Sequence, residues 1–96
     1  MRFLVESYLP VADAEGQAEV AARARAAADE LAREGAPLRH VDCIFVPDDE
    51  MCLLLYEANS PELVREASLR AGIECERVLE ASGGLEVGSR TKEDLR

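Results

Sequence analysis

One histidine and two carboxylates can be brought together by a β-hairpin that the sequence predicts. Segments 38–46 and 51–58 have the composition of strands, and the acidic stretch between them begins with proline, as is typical of a turn. A turn centred on this stretch pairs His40 with Glu57 and places Asp42 two residues further along the same strand. Because strand side chains alternate with a period of two, we expect His40, Asp42 and Glu57 on one face of the sheet.

An imidazole close to carboxylates can bind a divalent metal ion or transfer protons. We therefore predict His40 and Glu57 as metal ligands, with nickel or zinc as the ion. Glu6 and Tyr8 are two residues apart on the first predicted strand, so they are expected on the same face. Together with Asp42 they are predicted to bind a ligand.

Charge narrows the range of partners. The 96 residues include 20 acidic and 11 basic side chains, which give a formal net charge of −9. Such a charge repels phosphate backbones and anionic lipid surfaces, so we expect no nucleic-acid or membrane partner. No apolar run approaches the ~20 residues of a membrane span, and the first six residues do not resemble a signal peptide. We expect a cytoplasmic protein.

Three cysteines occur without the CxxC spacing of a structural zinc site, and their odd number argues against a disulfide framework. In the hairpin register above, Cys43 and Cys52 share the face that carries Phe45 and Leu54. We expect them to be buried thiols that pack as small apolar side chains.

The rest of the chain supplies two helices and two more strands. A strand is predicted from Arg2 to Leu9, a helix from about Asp13 to Glu34, a second helix capped by Ser60 and Gly72, and a short strand around 77–80. The resulting order, β-α-β-β-α-β, predicts an α+β fold of the ferredoxin-like type, in which both helices cover one face of a four-stranded antiparallel sheet. Residues 1–81 form this domain, and 82–96 are predicted to be a C-terminal tail.

The sheet side without helices, here called the open face, is expected to be both apolar and acidic. Because a soluble monomer rarely exposes such an apolar patch, we predict a homodimer formed through the open face, with a polar cavity between the copies. The residues expected on this face are Leu4, Glu6, Tyr8, Leu38, His40, Asp42, Ile44, Met51, Leu53, Leu55 and Glu57, and those expected to face the helices are Phe3, Val5, Val41, Phe45, Leu54 and Tyr56.

Four separated blocks, at 3–10, 44–52, 55–62 and 70–81, resemble a family of small bacterial ferredoxin-like proteins. Most members of that family have no assigned function, and one is described as a nickel-binding protein. The resemblance covers roughly residues 2–81 and implies a ferredoxin-like dimer, with metal binding as a candidate activity. It also implies a histidine at or near the start of the second strand, which only His40 can supply.

Two alternatives to metal binding stay open from the sequence. The cavity can instead hold a small organic molecule, with Glu6, His40 and Asp42 in acid–base roles, as in an isomerase, a cyclase or a cofactor-free oxygenase. The chain can also be a dimer without catalytic activity. No phosphate-binding glycine loop or nucleophilic triad is present in the sequence to suggest another chemistry.

Overall fold

The computed structural model describes residues 1–82, which form one four-stranded antiparallel sheet with two helices. The strands are arranged in the order β2-β3-β1-β4, so β1 and β3 are central and β2 and β4 are the edges. This arrangement confirms the predicted α+β, ferredoxin-like fold. The elements are β1 (Arg2–Tyr8), α1 (Gln17–Arg33), β2 (Leu38–Val46), β3 (Met51–Ala58), α2 (Pro61–Ala71) and β4 (Arg77–Ala81). Of the predicted tail, only Ser82 lies within the described residues.

The first helix begins later than the sequence predicts. A 3₁₀ segment, Val11–Gly16, precedes α1, and the backbone of Asp13 departs from helical geometry. The α-helix itself starts at Gln17. Gly16, which immediately precedes α1, explains the difference because glycine is a weak former of α-helix.

The second helix has the predicted caps. The Ser60 side chain accepts a hydrogen bond from the backbone N–H of Leu63, Pro61 occupies the first turn, and Gly72 ends the helix in the left-handed conformation with φ 70°. At the outer surface, Arg70 of α2 forms ion pairs with Glu30 of α1 and with Glu34, which follows the last residue of α1. These ion pairs link the C-terminal ends of the two helices on the solvent side.

The core lies between the helices and one face of the sheet. Phe3, Val5, Leu54 and Tyr56 are buried there, as predicted, and they meet small residues of the helices, chiefly alanines. Alanine permits a close approach of helix to sheet, since it adds little bulk and loses no side-chain entropy on burial. The alanine-rich composition therefore fits a thin, closely packed layer.

Candidate functional site

The open face of the sheet is organised in cross-strand rows. Alternation along each strand and the observed pairings assign its side chains. Towards one end of the sheet it carries a charged row, next to it a leucine-rich row, and beyond that two mixed rows. In strand order the rows are Arg39, Glu57, Arg2 and Ala81; Asp42, Leu55, Leu4 and Leu79; Ile44, Leu53, Glu6 and Arg77; and Val46, Met51 and Tyr8.

The hairpin register is as predicted from the turn up to Asp42 and changes beyond it. Asp42 pairs with Leu55 as expected, but the ladder has a β-bulge between Asp42 and His40. His40 consequently pairs with Tyr56, and Arg39 takes the place opposite Glu57. The predicted pairing of His40 with Glu57 is therefore wrong. A bulge inserts one extra residue on one strand, and this reverses the direction of every side chain that follows.

Because of the bulge, His40 lies on the helix side of the sheet rather than on the open face. Its side chain is only 7% exposed, and its ring meets the ring of Tyr56 edge-on, with the centroids 5.3 Å apart. Leu38 is two residues from His40 and shares its side of the sheet. It is also buried, so its predicted position on the open face is wrong as well. His40, Asp42 and Glu57 therefore do not share one face.

Burial sets the protonation state of the imidazole. It lowers the pKa of His40 below the ordinary 6.5, and the positive charge of Arg25 acts in the same direction. The Asp42 backbone acts in the opposite direction, although its geometry falls short of a hydrogen bond. Neither ring nitrogen has a hydrogen-bond partner among the described residues. Burial likewise raises the pKa of Tyr56 to about 12. At neutral pH the pair is uncharged.

Glu57 is held between two arginines on the open face. The guanidinium of Arg39 lies 2.7 Å from one carboxylate oxygen, and that of Arg2 lies 3.2 Å from the other. The hydrogen bond from Arg39 lowers the pKa of Glu57. Both oxygens are therefore already engaged by cationic groups, and a metal ion would have to compete with them.

Glu6, in the central strand β1, is also paired. Arg77 of β4 approaches its two carboxylate oxygens with two nitrogens, each at 3.2 Å. Such a bidentate contact satisfies a carboxylate that would otherwise be costly in mid-strand. The sequence did not identify Arg77 as the partner, because the pairing of β1 with β4 joins residues far apart in the chain.

Asp42 differs from Glu6 and Glu57 because it forms no ion pair with another residue in the range 1–82. One of its oxygens accepts a hydrogen bond of 2.8 Å from the N–H of Cys43, the next residue. The side chain is exposed and stands beside Leu55 at the β2 edge of the open face. Its second oxygen can accept a further ligand.

Tyr8 is half-exposed at the far end of the open face, where its hydroxyl lies 3.4 Å from Glu50. Glu50 also accepts a 2.8 Å hydrogen bond from the N–H of Val11. The negative charge of Glu50 raises the pKa of Tyr8. Two rows lie between Tyr8 and Glu57, so the predicted ligand-binding residues are spread along the face.

A pair of thiols on the helix side was not expected to be in contact. The sulfur atoms of Cys43 and Cys52 are 3.0 Å apart, and both cysteines are free. Their predicted common face is confirmed. The hydrogen bond between them lowers the pKa of Cys43 and raises that of Cys52. Side chains at diagonal positions on paired strands can come into contact, so the predicted hairpin register could have indicated that these thiols meet.

A groove of about 780 Å³ lies at the end of the sheet that carries the charged row. Residues from the starts of β1 and β2 and from the ends of β3 and β4 meet there. The side chains of Arg39, Glu57, Asn59 and Glu80 give it a polar lining of both signs. Its volume falls within the range typical of small-molecule sites.

Within residues 1–82, no cluster of three or more histidine, cysteine, aspartate or glutamate side chains is arranged to hold a metal ion. Neither α1 nor α2 has the length and apolarity that a membrane crossing requires.

Comparison with known proteins identifies the family. A family model described as "Nickel responsive protein SCO4226-like" matches residues 3–81. The chain belongs to the SCO4226-like family. This match confirms the resemblance predicted from the four sequence blocks, and it spans nearly all of the described fold.

A solved structure agrees with this assignment. The crystal structure of SCO4226 from Streptomyces coelicolor A3(2) is similar to the chain with a TM-score of 0.65 and 18% sequence identity. The alignment covers 88% of this chain and 99% of that protein. At this identity the likeness shows the shared fold. Among curated proteins, none matches the chain.

Proposed function

We propose that this SCO4226-like protein binds Ni²⁺, or a divalent ion of similar chemistry, as a homodimer formed through the open face. The observation that carries the proposal is the position of Asp42, an exposed carboxylate without an ion pair to another described residue, at the margin of an apolar sheet surface. The description of the family as nickel responsive supports the choice of ion.

The composition of the open face supports self-association. Its two middle rows contribute Leu4, Leu53, Leu55 and Leu79, all only partly buried, and Ile44 is 52% exposed. Apolar side chains in contiguous rows gain free energy when a second surface covers them. A second copy fits this surface because an isologous contact places the same apolar rows against each other. The net charge of −9 makes two copies repel each other through their other surfaces, so association is favoured only where apolar rows meet.

A dimer also supplies the missing ligands. The described part of one chain has no group of three or more suitable donors, but a two-fold axis through the open face doubles every donor near it. Two carboxylates can hold a divalent ion, and the family description, rather than the oxygen donors themselves, supports nickel as that ion. We assign Asp42 of each copy as a ligand, with water in the remaining positions.

His40 and Glu57 stay in the proposal as secondary candidates. They lie on opposite faces of the sheet, so they do not face the same ion within one chain. His40 is neutral at pH 7 and its nitrogens are unbonded within residues 1–82, which suits a metal ligand. To bind an ion, Glu57 would have to leave Arg39, and His40 would have to become accessible at the edge strand β2.

Calorimetric titration with Ni²⁺, Zn²⁺ and Co²⁺ tests the metal assignment. We expect Asp42→Asn to weaken Ni²⁺ binding by about tenfold or more, since a direct ligand should matter at least as much as its supporting groups. Asp29→Asn on the exposed surface of α1 is the matched control, because it removes the same charge. Absence of binding by the unchanged protein, or equal binding by Asp42→Asn, would refute the assignment. His40→Ala and Glu57→Gln, measured in parallel, identify any contribution from the secondary candidates.

Sedimentation velocity in the absence of metal tests the dimer. The unchanged protein should sediment as a dimer, and Ile44→Asp should sediment as a monomer because it places a charge in the apolar contact. Leu69→Asp, on the exposed side of α2, is the control and should stay dimeric. A monomeric unchanged protein, or a dimer that tolerates Ile44→Asp, would exclude this interface.

The groove at the charged end of the sheet favours a second candidate function, the binding of a small polar molecule. Arg39, which is exposed and contacts Glu57, can turn towards an anionic group in the groove. Chemical-shift mapping with a panel of small carboxylates tests this candidate. Perturbations confined to the groove and lost in Arg39→Ala would support it, whereas no specific perturbation would eliminate it.

A further inference from the structure

The two thiols of the β2–β3 hairpin lie closer together than packing of small apolar side chains requires. Cys43 pairs with Leu54, and Cys52 pairs with Phe45, so the cysteines occupy diagonal positions on neighbouring strands. Their sulfur atoms are nevertheless 3.0 Å apart and share a hydrogen bond. A disulfide needs a separation of about 2 Å, so the sulfurs must approach each other by roughly 1 Å more.

The two cysteines differ in accessibility. Cys43 is half-buried at the β2 edge, whereas Cys52 is 1% exposed in the core. Small solutes can therefore reach Cys43, and the only described thiol in contact with it is Cys52. The side-chain amide of Gln17 donates a 3.1 Å hydrogen bond to the Cys43 carbonyl and holds this part of β2 against the start of α1.

We propose that Cys43 and Cys52 form an oxidisable thiol pair, in which Cys43 reacts with a peroxide and Cys52 closes an intramolecular disulfide. The family match, the open face and the metal proposal do not enter this inference, which rests on the distance between the sulfurs and on their unequal exposure. The pair would give the hairpin two covalent states.

The chemistry balances with hydrogen peroxide as the oxidant. The Cys43 thiolate attacks one peroxide oxygen, so a sulfur–oxygen bond forms, the oxygen–oxygen bond breaks, and the departing hydroxide takes up the thiol proton as water. The Cys52 sulfur then attacks the Cys43 sulfenic acid, forming the sulfur–sulfur bond and releasing a second water. The two thiols lose two electrons and the peroxide gains them. A dithiol reductant reverses the change by thiol–disulfide exchange.

The third cysteine provides an internal control. Cys75 is partly buried and forms no hydrogen bond with either member of the pair. It follows α2 rather than lying on the hairpin. Burial raises the pKa of its thiol, which disfavours the reactive thiolate. Cys75 should therefore stay reduced under conditions that oxidise the pair.

The experiment treats the full chain, free of metal, with hydrogen peroxide, then counts thiols and maps disulfides by mass spectrometry. Free thiols should fall from three to one, with a mass loss of two hydrogen atoms and a linked peptide that joins Cys43 to Cys52. Cys75→Ser should lose both of its remaining thiols in the same way. Cys43→Ser should keep both of its thiols, and dithiothreitol should restore all three in the unchanged protein.

Several outcomes would overturn the proposal: three free thiols after treatment, a disulfide that includes Cys75, a link between two chains, or irreversible addition of oxygen to Cys43 while Cys52 stays free. Peptide mapping of the unchanged protein and of Cys75→Ser decides among these outcomes. The test therefore stands even if Cys43→Ser fails to fold.

Discussion

His40 lies edge-on against Tyr56, with 68° between the ring planes, on the side of the sheet opposite Glu57. The positive edge of one ring meets the negative face of the other in this geometry, which stabilises a buried aromatic pair. The imidazole is thereby part of the core. Its titration is coupled to folding in a way that an exposed histidine would not show.

Unfolding should become easier as the pH falls below about 6.5. The folded-state pKa of His40 is lowered, so the unfolded chain takes up the proton more readily. The contribution of His40 to stability is complete above pH 6.5 and is lost as the pH falls from there through the folded-state pKa. One such group gives a slope of at most about 1.4 kcal/mol per pH unit.

Urea unfolding of metal-free protein between pH 7.5 and 5 measures this slope. His40→Phe keeps an aromatic ring without a titrating group and should flatten it. Glu34 and Glu57 have pKa values lowered from 4.5, so their contributions are lost only at more acidic pH and lie outside this window. Equal slopes for both proteins would contradict the burial of a neutral imidazole.

The carboxylate of Glu57 should titrate at higher pH when Arg39 is removed. The Arg39 hydrogen bond is the main cause of its lowered pKa, and Arg2 adds a smaller effect. In Arg39→Ala, the pKa of Glu57 should move part of the way towards 4.5, as measured by NMR of the side-chain carboxyl carbon. Arg77→Ala, which removes the partner of Glu6, should leave the Glu57 titration unchanged. A response to Arg77→Ala alone would mean that the rows are assigned incorrectly.

Gly72 should resist substitution more than Gly16 does. Neither position has a heavy atom in the way of an added Cβ, so the two differ in backbone conformation alone. Gly72 has φ 70°, whereas Gly16 has φ −75°. Gly72→Ala should lower the free energy of unfolding by about 1–2 kcal/mol. Gly16→Ala should change it little or raise it. Chemical denaturation of both variants makes the comparison, and equal losses would speak against the left-handed cap.

Leu54 should be among the most sensitive positions in the chain. It is 0% exposed between β3 and the helices, and truncation to alanine should cost about 2–5 kcal/mol of unfolding free energy. Leu69, which is 75% exposed on α2, is the matched control and should tolerate the same change within about 0.5 kcal/mol. A small loss at Leu54 would mean that the core is packed differently.

Sequence periodicity predicted most of the hairpin but not its bulge. From Asp42 to Val46 the predicted pairs are confirmed, because the turn fixes the register and the strand is regular there. The change occurs at Val41, where neither glycine nor proline marks an irregularity. One clue was that Leu38 and Phe45 are an odd number of residues apart, so both can face the helices only if alternation is interrupted between them.

The ion pair between Glu6 and Arg77 was beyond the reach of sequence analysis for a different reason. Glu6 and Arg77 are 71 residues apart, and their contact depends on the order of strands in the sheet. Arg39 reaches Glu57 only because the bulge reverses its direction. The predicted carboxylates do lie on the open face, yet the Arg77 partner of Glu6 could not be identified from local patterns.

The irregularity at Val41 also bears on how the protein avoids aggregation. β2 is an outer strand, and a straight outer strand presents a continuous series of backbone donors and acceptors to which other chains can add. The extra residue breaks that series in its middle and increases the local twist. Growth of fibrils by strand addition is therefore disfavoured on this side of the molecule, and the same residue that removes the imidazole from the open face protects the edge.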